Sequence, residues 1–422
     1  LNPKLTAAII FFASYCLLVI FRSWKSRILW IGIAAGMIAG LVAAEDIIHD
    51  INWNVMGIFA GTLFLAEFFI ISGVPAAIAS FLVRKSANSG IAFLYVCVLS
   101  SVLSAFIENV AVVLIVAPIA LDIARKVKVS PIPVLIGIAV ASNLQGTATL
   151  IGDPPSMILA NFQKMNFNDF FVYRGEPGIF FAVEAGAIIS MAILYLFFRK
   201  RSRRIEFEQK EKVNTFVPTL LITIMVIGLA LSSLIDPDFE WFGGTLCLAL
   251  AVVCLVVNGS KPGRTAYIIR RFDWSTTAFL AGVFVIVGML ERTGLITGLA
   301  AFIGSHIGSS RPIAFLVIVW GSVAFSAFID NVPYITAMIP VVQAMARSMG
   351  GGEELLVFGL LIGACLGGNI TPVGASANVV SVGILRKQGY PVSFGKFVKV
   401  GLPFTIAATL AGSAVIYLVW GA

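Results

Sequence analysis

Long apolar runs, broken by polar residues at matching places, organise this chain. Runs of helix-spanning length cover residues 5–21, 28–44, 53–72, 132–160, 176–198, 215–234, 240–257, 275–290, 354–385 and 400–420. They are continuous rather than alternating, so the pattern predicts membrane-crossing α-helices and not barrel strands. Two further regions, 89–124 and 311–346, are too long for one crossing and carry a polar break near the middle, which predicts helix pairs. Residues 5–21 have no small-residue cleavage site of the signal-peptide kind and read as a retained span.

The breaks come in pairs. S-A-F-I-E-N-V at 104–110 returns as S-A-F-I-D-N-V at 326–332, and T-L-I-G at 149–152 returns as T-P-V-G at 371–374, both 222 positions on. I-N-W at 51–53 likewise answers F-D-W at 272–274. The repeat divides the chain into halves 1–205 and 206–422. Each half holds five spans and one paired region, so the second half enters the membrane in the opposite sense. That is an inverted repeat, the ground plan of many secondary transporters.

Composition agrees. The chain is 59% hydrophobic and 12% charged, against roughly 25% charged in soluble domains. Most of its 29 Lys and Arg fall in alternate loops, so the net charge of +8 is topological. It does not point to nucleic acid. Lys25, Arg84, Arg125, Arg203, Arg270 and Arg386 are expected on the cytoplasmic side, with both chain ends outside. Basic residues flank 89–124 at both ends, so this region makes two full spans or a re-entrant hairpin, and its repeat partner favours hairpins. The charged link 199–212 reads as a solvated cytoplasmic face. The five cysteines lie in apolar segments without a CxxC, and no GxxxxGK[ST] phosphate loop is present. A metal centre, a disulfide framework and enzymatic ATP hydrolysis are therefore not expected.

The candidate chemistry sits at the breaks. Glu108 and Asp330 are acids at equivalent positions within apolar surroundings, each followed by an asparagine, Asn109 or Asn331. A carboxylate at membrane depth is costly unless protonated, paired or wet. The bland reading of either acid is a turn stabiliser. In 146–156 and 368–378, Gly and Pro interrupt long spans, freeing backbone groups that could hold a cation or an anion. Thr149, Gly152, Asp153, Thr371, Gly374 and Asn378 are expected around a midplane site. Bulk at Gly152 or Gly374 is expected to intrude on its occupant more than bulk at Gly73 or Gly294. Asp153 faces Ala375 in the second copy, so two sites would differ chemically. Glu67 and Glu184, unduplicated acids in apolar spans, are candidate proton carriers or interhelical partners.

G-D-P-P at 152–155, G-A-C-L-G-G-N at 363–369 and T-P-V-G-A-S-A-N-V-V at 371–380 resemble the ion transporter superfamily. The likeness is to its ArsB/NhaD-type permease group, close to bacterial relatives of the melanosomal P protein. The resemblance implies an all-α polytopic membrane protein with two re-entrant hairpins, two broken helices, scaffold and transport domains drawn from both halves, an elevator-type cycle and a homodimer. It also implies paired ion sites, one from Glu108, Asn109, Val110 and the 149–153 loop, the other from Asp330, Asn331, Val332 and the 371–375 loop. The related dicarboxylate carriers have Ser-Asn-Thr at each tip. The acids here favour H⁺ or Na⁺ coupling and set a bare dicarboxylate at a disadvantage. Gln145 and Ser156 also depart from the group's usual Gly and Asn. The expected function is ion-coupled secondary transport across the inner membrane, as an arsenite/antimonite-type permease or Na⁺/H⁺ antiporter. Alternatives are an organic anion symporter (dicarboxylate or citrate-like) and an anion or proton channel. No cofactor is expected beyond the coupling ion, and a separate ATPase subunit only in the arsenite case.

Overall fold

The computed structural model describes residues 2–21, 24–199, 212–258, 264–296, 298 and 310–421. Arg203 and most of the basic link lie outside the described residues. The first half runs α1 (Pro3–Ile20), α2 (Lys25–Ile38), α3 (Ala44–Asp50), α4 (Trp53–Ser72), α5 (Val74–Lys85), α6 (Ser89–Ser104), α7 (Asn109–Lys126), α8 (Ile132–Gly146), α9 (Pro154–Gln163) and α10 (Ile179–Phe198). The second runs α11 (Val217–Leu231), α12 (Phe242–Asn258), α13 (Arg264–Arg271), α14 (Trp274–Arg292), α15 (Arg311–Ser326), α16 (Asn331–Ser348), α17 (Glu353–Gly367), α18 (Ser376–Lys387) and α19 (Phe394–Trp420). Among the described residues, six helices are long and apolar enough to cross a membrane, and shorter apolar helices accompany them.

Both paired regions fold as expected, as α6–α7 and α15–α16 joined by tight connections. Both interrupted spans fold as two half-helices, α8–α9 and α17–α18. Local chemistry sets these ends. Pro154 and Pro155 occupy the first turn of α9, where a missing N–H is harmless. The Glu108 carboxylate caps α7 by accepting from Ala111 N at 3.1 Å, and Asp330 caps α16 by accepting from Val332 N at 3.3 Å. The capping that the bland reading anticipated is therefore real. The span expected over 28–44 stops at Ile38; Gly40 (φ +71°) turns the chain into short α3. The short helices α3, α5 and α13 stand where loops were expected, and residues 172–177 form a two-stranded hairpin turned at Arg174 and Gly175.

The helices pack in two groups, α1–α4 with α11–α14 and α5–α10 with α15–α19, which meet chiefly along α4 and α14. Small residues let backbones approach within each group. A Cβ on Gly186 would stand 2.9 Å from the Ala408 carbonyl oxygen, and one on Gly412 would stand 3.1 Å from that of Ala182. Position rises along α10 as it falls along α19, so these repeat partners run antiparallel. At the centre of the second group, α8 and α17 are buried on every face over Val134–Gly146 and Leu355–Gly367.

Candidate functional site

Each break is tied to its own hairpin tip by the same hydroxyl. Thr149 Oγ1 donates to the Ala105 carbonyl, and Thr371 Oγ1 donates to the Ala327 carbonyl. Across each break a polar side chain on the second half-helix reaches back to the first. Ser156 Oγ donates to the Gly146 and Thr147 carbonyls at 3.5 and 3.4 Å. Its repeat counterpart Asn378 donates to Gly368 O at 2.8 Å and Thr371 O at 2.9 Å. A Cβ on Gly152 would stand 2.5 Å from Gly146 O, and one on Gly374 would stand 2.8 Å from Gly368 Cα. The freed carbonyls at 146, 147, 368 and 371 thus have partners within the protein.

These bonds fix where the break residues stand. Thr149, Gly152, Thr371, Gly374 and Asn378 are buried in the frame of the site and do not line its cavity. Bulk at either glycine would meet backbone, not an occupant. The intended controls are also unsuitable, because Gly73 (φ +78°) and Gly294 (φ +69°) hold left-handed conformations that any side chain strains.

The cavity, about 420 Å³, lies between the two tips. Glu108, Asn109 and Val110 line it from the first tip, Asp330, Asn331 and Val332 from the second, and Asp153 from the first break. Asp153 is only 6% exposed. Its carboxylate accepts from Asn331 Nδ2 at 3.5 Å, and Asn109 of the first tip lines the same cavity. It therefore stands between the two tips, and Ala375 occupies the equivalent place opposite. Lys25, Glu67, Arg271 and Asp273 reach the same cavity from the first helix group. Five carboxyls thus face two cationic groups, so the lining is net acidic. Arg271 Nε lies 3.8 Å from Glu67. Glu184 lies elsewhere: it accepts from Gln145 Nε2, while Gln145 Oε1 accepts from Ser101 at 3.2 Å. Among the described residues, no three His, Cys, Asp or Glu converge as a metal shell.

Sequence reasoning missed Asn143, a 2% exposed amide on α8 that lines the cavity. A lone Asn in an apolar span was the available signal. It also missed Lys25 and Arg271, which read only as basic residues of loops 22–27 and 261–271, and Asp273, which read only as part of the F-D-W repeat.

Citrate transporter (CitMHS) is the family whose pattern matches, over residues 15–363. An uncharacterized transporter of Mycobacterium tuberculosis (strain ATCC 25618 / H37Rv) is 28% identical over 425 residues, covering 98% of each chain. The P protein of Homo sapiens is 26% identical over 462 residues, covering 90% of this chain and 55% of that protein. The YdaH transporter of Alcanivorax borkumensis superposes with a TM-score of 0.65 at 15% identity, covering 99% of this chain and 98% of that one, a likeness of fold. With apolar spans throughout, paired breaks around a polar cavity and a family match over most of its length, the chain is a secondary membrane transporter belonging to the CitMHS citrate transporter family of the ion transporter superfamily.

Proposed function

We propose that transport is coupled to a cation, H⁺ or Na⁺, that neutralises the Glu108–Asp153–Asp330 cavity. The observation that carries this reading is the meeting of three acids, two from equivalent tips and one from a break, in one cavity. Moving uncompensated carboxylates through a low-dielectric barrier is costly. The acidic cavity then crosses only when loaded, and that condition couples the fluxes.

The α5–α10 and α15–α19 group is the moving body, and the α1–α4 and α11–α14 group is the scaffold of an elevator-type homodimer. The antiparallel run of α10 and α19 supports an inverted relation of the halves 1–205 and 206–422. Lys25, at the start of α2, and Arg271, at the end of α13, lie in segments assigned to the cytoplasm by their basic charge, which favours an inward-facing cavity. Thr149, Gly152, Thr371, Gly374 and Asn378 act here by holding the tips in place.

A second reading takes an organic anion of the citrate type as cargo. The family description and the two cationic groups at the cavity favour it. Such an anion would enter with cations, because the lining is already acidic. Purified protein in liposomes, supplied in turn with Na⁺, citrate and arsenite under imposed pH gradients, distinguishes the cargoes. Cation coupling predicts flux that stops when neither H⁺ nor Na⁺ can be exchanged. Saturable flux indifferent to both would overturn the proposal, and conduction without saturation would indicate a channel.

A further inference from the structure

Four asparagines from both halves meet at the cavity wall and behind it, and their amides are oriented head to tail. Asn109 Nδ2 donates to Asn143 Oδ1 at 3.4 Å, and both asparagines line the cavity with Asp153. Asn143 Nδ2 donates to Asn369 Oδ1 at 2.8 Å and to Asn378 Oδ1 at 3.0 Å. Asn378 Nδ2 then donates to the carbonyls of Gly368 and Thr371. Asn369 Nδ2 donates to the Val140 carbonyl at 3.3 Å. Both amide hydrogens of Asn143 are therefore committed to the second half, and its oxygen to the first. A buried amide chain of this kind admits few alternative arrangements, because reversing one member leaves a neighbour unpaired.

We infer that Asn143 is a positioning residue that couples occupancy of the Asp153 carboxylate to the geometry of the second break, 371–375. The inference rests on the cation-coupled reading above. Asn109 and Asp153 line the same cavity, so a cation or proton on that carboxylate changes the charge that the Asn109 amide faces. Asn109 then relaxes toward Asn143, and the donors of Asn143 set the position of Asn378. The two copies differ here, because the repeat counterpart of Asn143 is Cys365, a thiol with no comparable donor pair.

Hydrogen exchange of the full-length protein in detergent tests this, with NaCl and, separately, Asp153→Asn as the neutralising perturbations at constant pH. In the wild-type chain, either perturbation is expected to change protection at both 105–111 and 371–378. In Asn143→Leu, which keeps close to the shape but has no donor, only 105–111 should respond. Asn378→Ala interrupts the same route from its other end and should give the same pattern, so failure of one variant to fold leaves the other to decide. A response at 371–378 retained in either folded variant overturns the inference and leaves the cation site standing. No response at either segment in the wild-type background overturns both.

Discussion

Replacing Gly152 by Ala separates a residue that frames the site from one that touches the cargo. The added Cβ would lie 2.5 Å from Gly146 O, 2.8 Å from Ser104 O and 2.9 Å from Gly146 Cα, where ordinary contact begins at 3.4 Å. All three obstacles are backbone atoms, at the ends of α8 and α6, so no side chain can rotate aside. Overpacking typically costs about 1–3 kcal/mol, and backbone obstacles place this case at the upper end. A loss of that size is a large share of a net stability of roughly 5–15 kcal/mol. In the second copy, Gly374 faces Gly368 backbone in the same way, so Gly374→Ala should lose a similar amount. Thermal melting in detergent measures the loss. Flux in liposomes, normalised to folded protein, measures the half-saturating concentration of the coupling cation. Both variants should melt well below wild type, with half-saturation changed less than about twofold. Wild-type melting with a strongly shifted half-saturation would refute the framing role and return these glycines to the cavity wall.

Thr149→Val and Thr371→Val each strand a buried tip carbonyl, at Ala105 or Ala327, and should lower stability by about 1–3 kcal/mol in the same melting assay. Outside the spans, burial alone would raise the Asp236 carboxyl, but the N–H groups of Trp241, Phe242 and Glu240 outweigh it and hold the group below its ordinary value. Its stabilising effect is therefore complete above that ordinary value and is lost as pH falls through the lowered one. Asp236→Asn should cost about 1 kcal/mol at neutral pH, a deficit that melting curves show narrowing in acid. For topology, in a Cys16→Ser background, cysteines placed singly at Asp238 and Lys387 should label from opposite faces of the membrane. Labelling of both from one face would contradict the assigned orientation.

The tips and breaks were legible because the physics that forms them is local. An acid and an amide interrupt an apolar run, prolines open a new helix, and the duplication marks both copies as deliberate. The meeting of Asp153 with both tips was not legible, since Asn331 lies 178 residues away. Nor was the role of Gly152, because a glycine in a break looks the same in sequence whether it lines a cavity or packs on backbone. Asn143 was passed over for a related reason: its partners lie 226 and 235 residues downstream. The helices α3, α5 and α13 escaped because each is short or ends in charged residues, a pattern shared with loops. Glu67 and Glu184 looked alike in sequence and separate in space, one at the cavity and one bonded to Gln145.

The measurement closest to the central claim asks whether neutralising the cavity is what permits it to cross. A cysteine at Ser376, an exposed cavity residue, reports which side of the membrane the cavity faces through its labelling from outside in oriented liposomes. With wild-type acids, the rate at which this label becomes accessible should depend on H⁺ or Na⁺ and fall toward zero when both are withheld. In Glu108→Gln/Asp153→Asn/Asp330→Asn, the same rate should become indifferent to pH and to Na⁺. A triple variant that still requires the cation, or wild-type exchange that proceeds without one, would contradict the account.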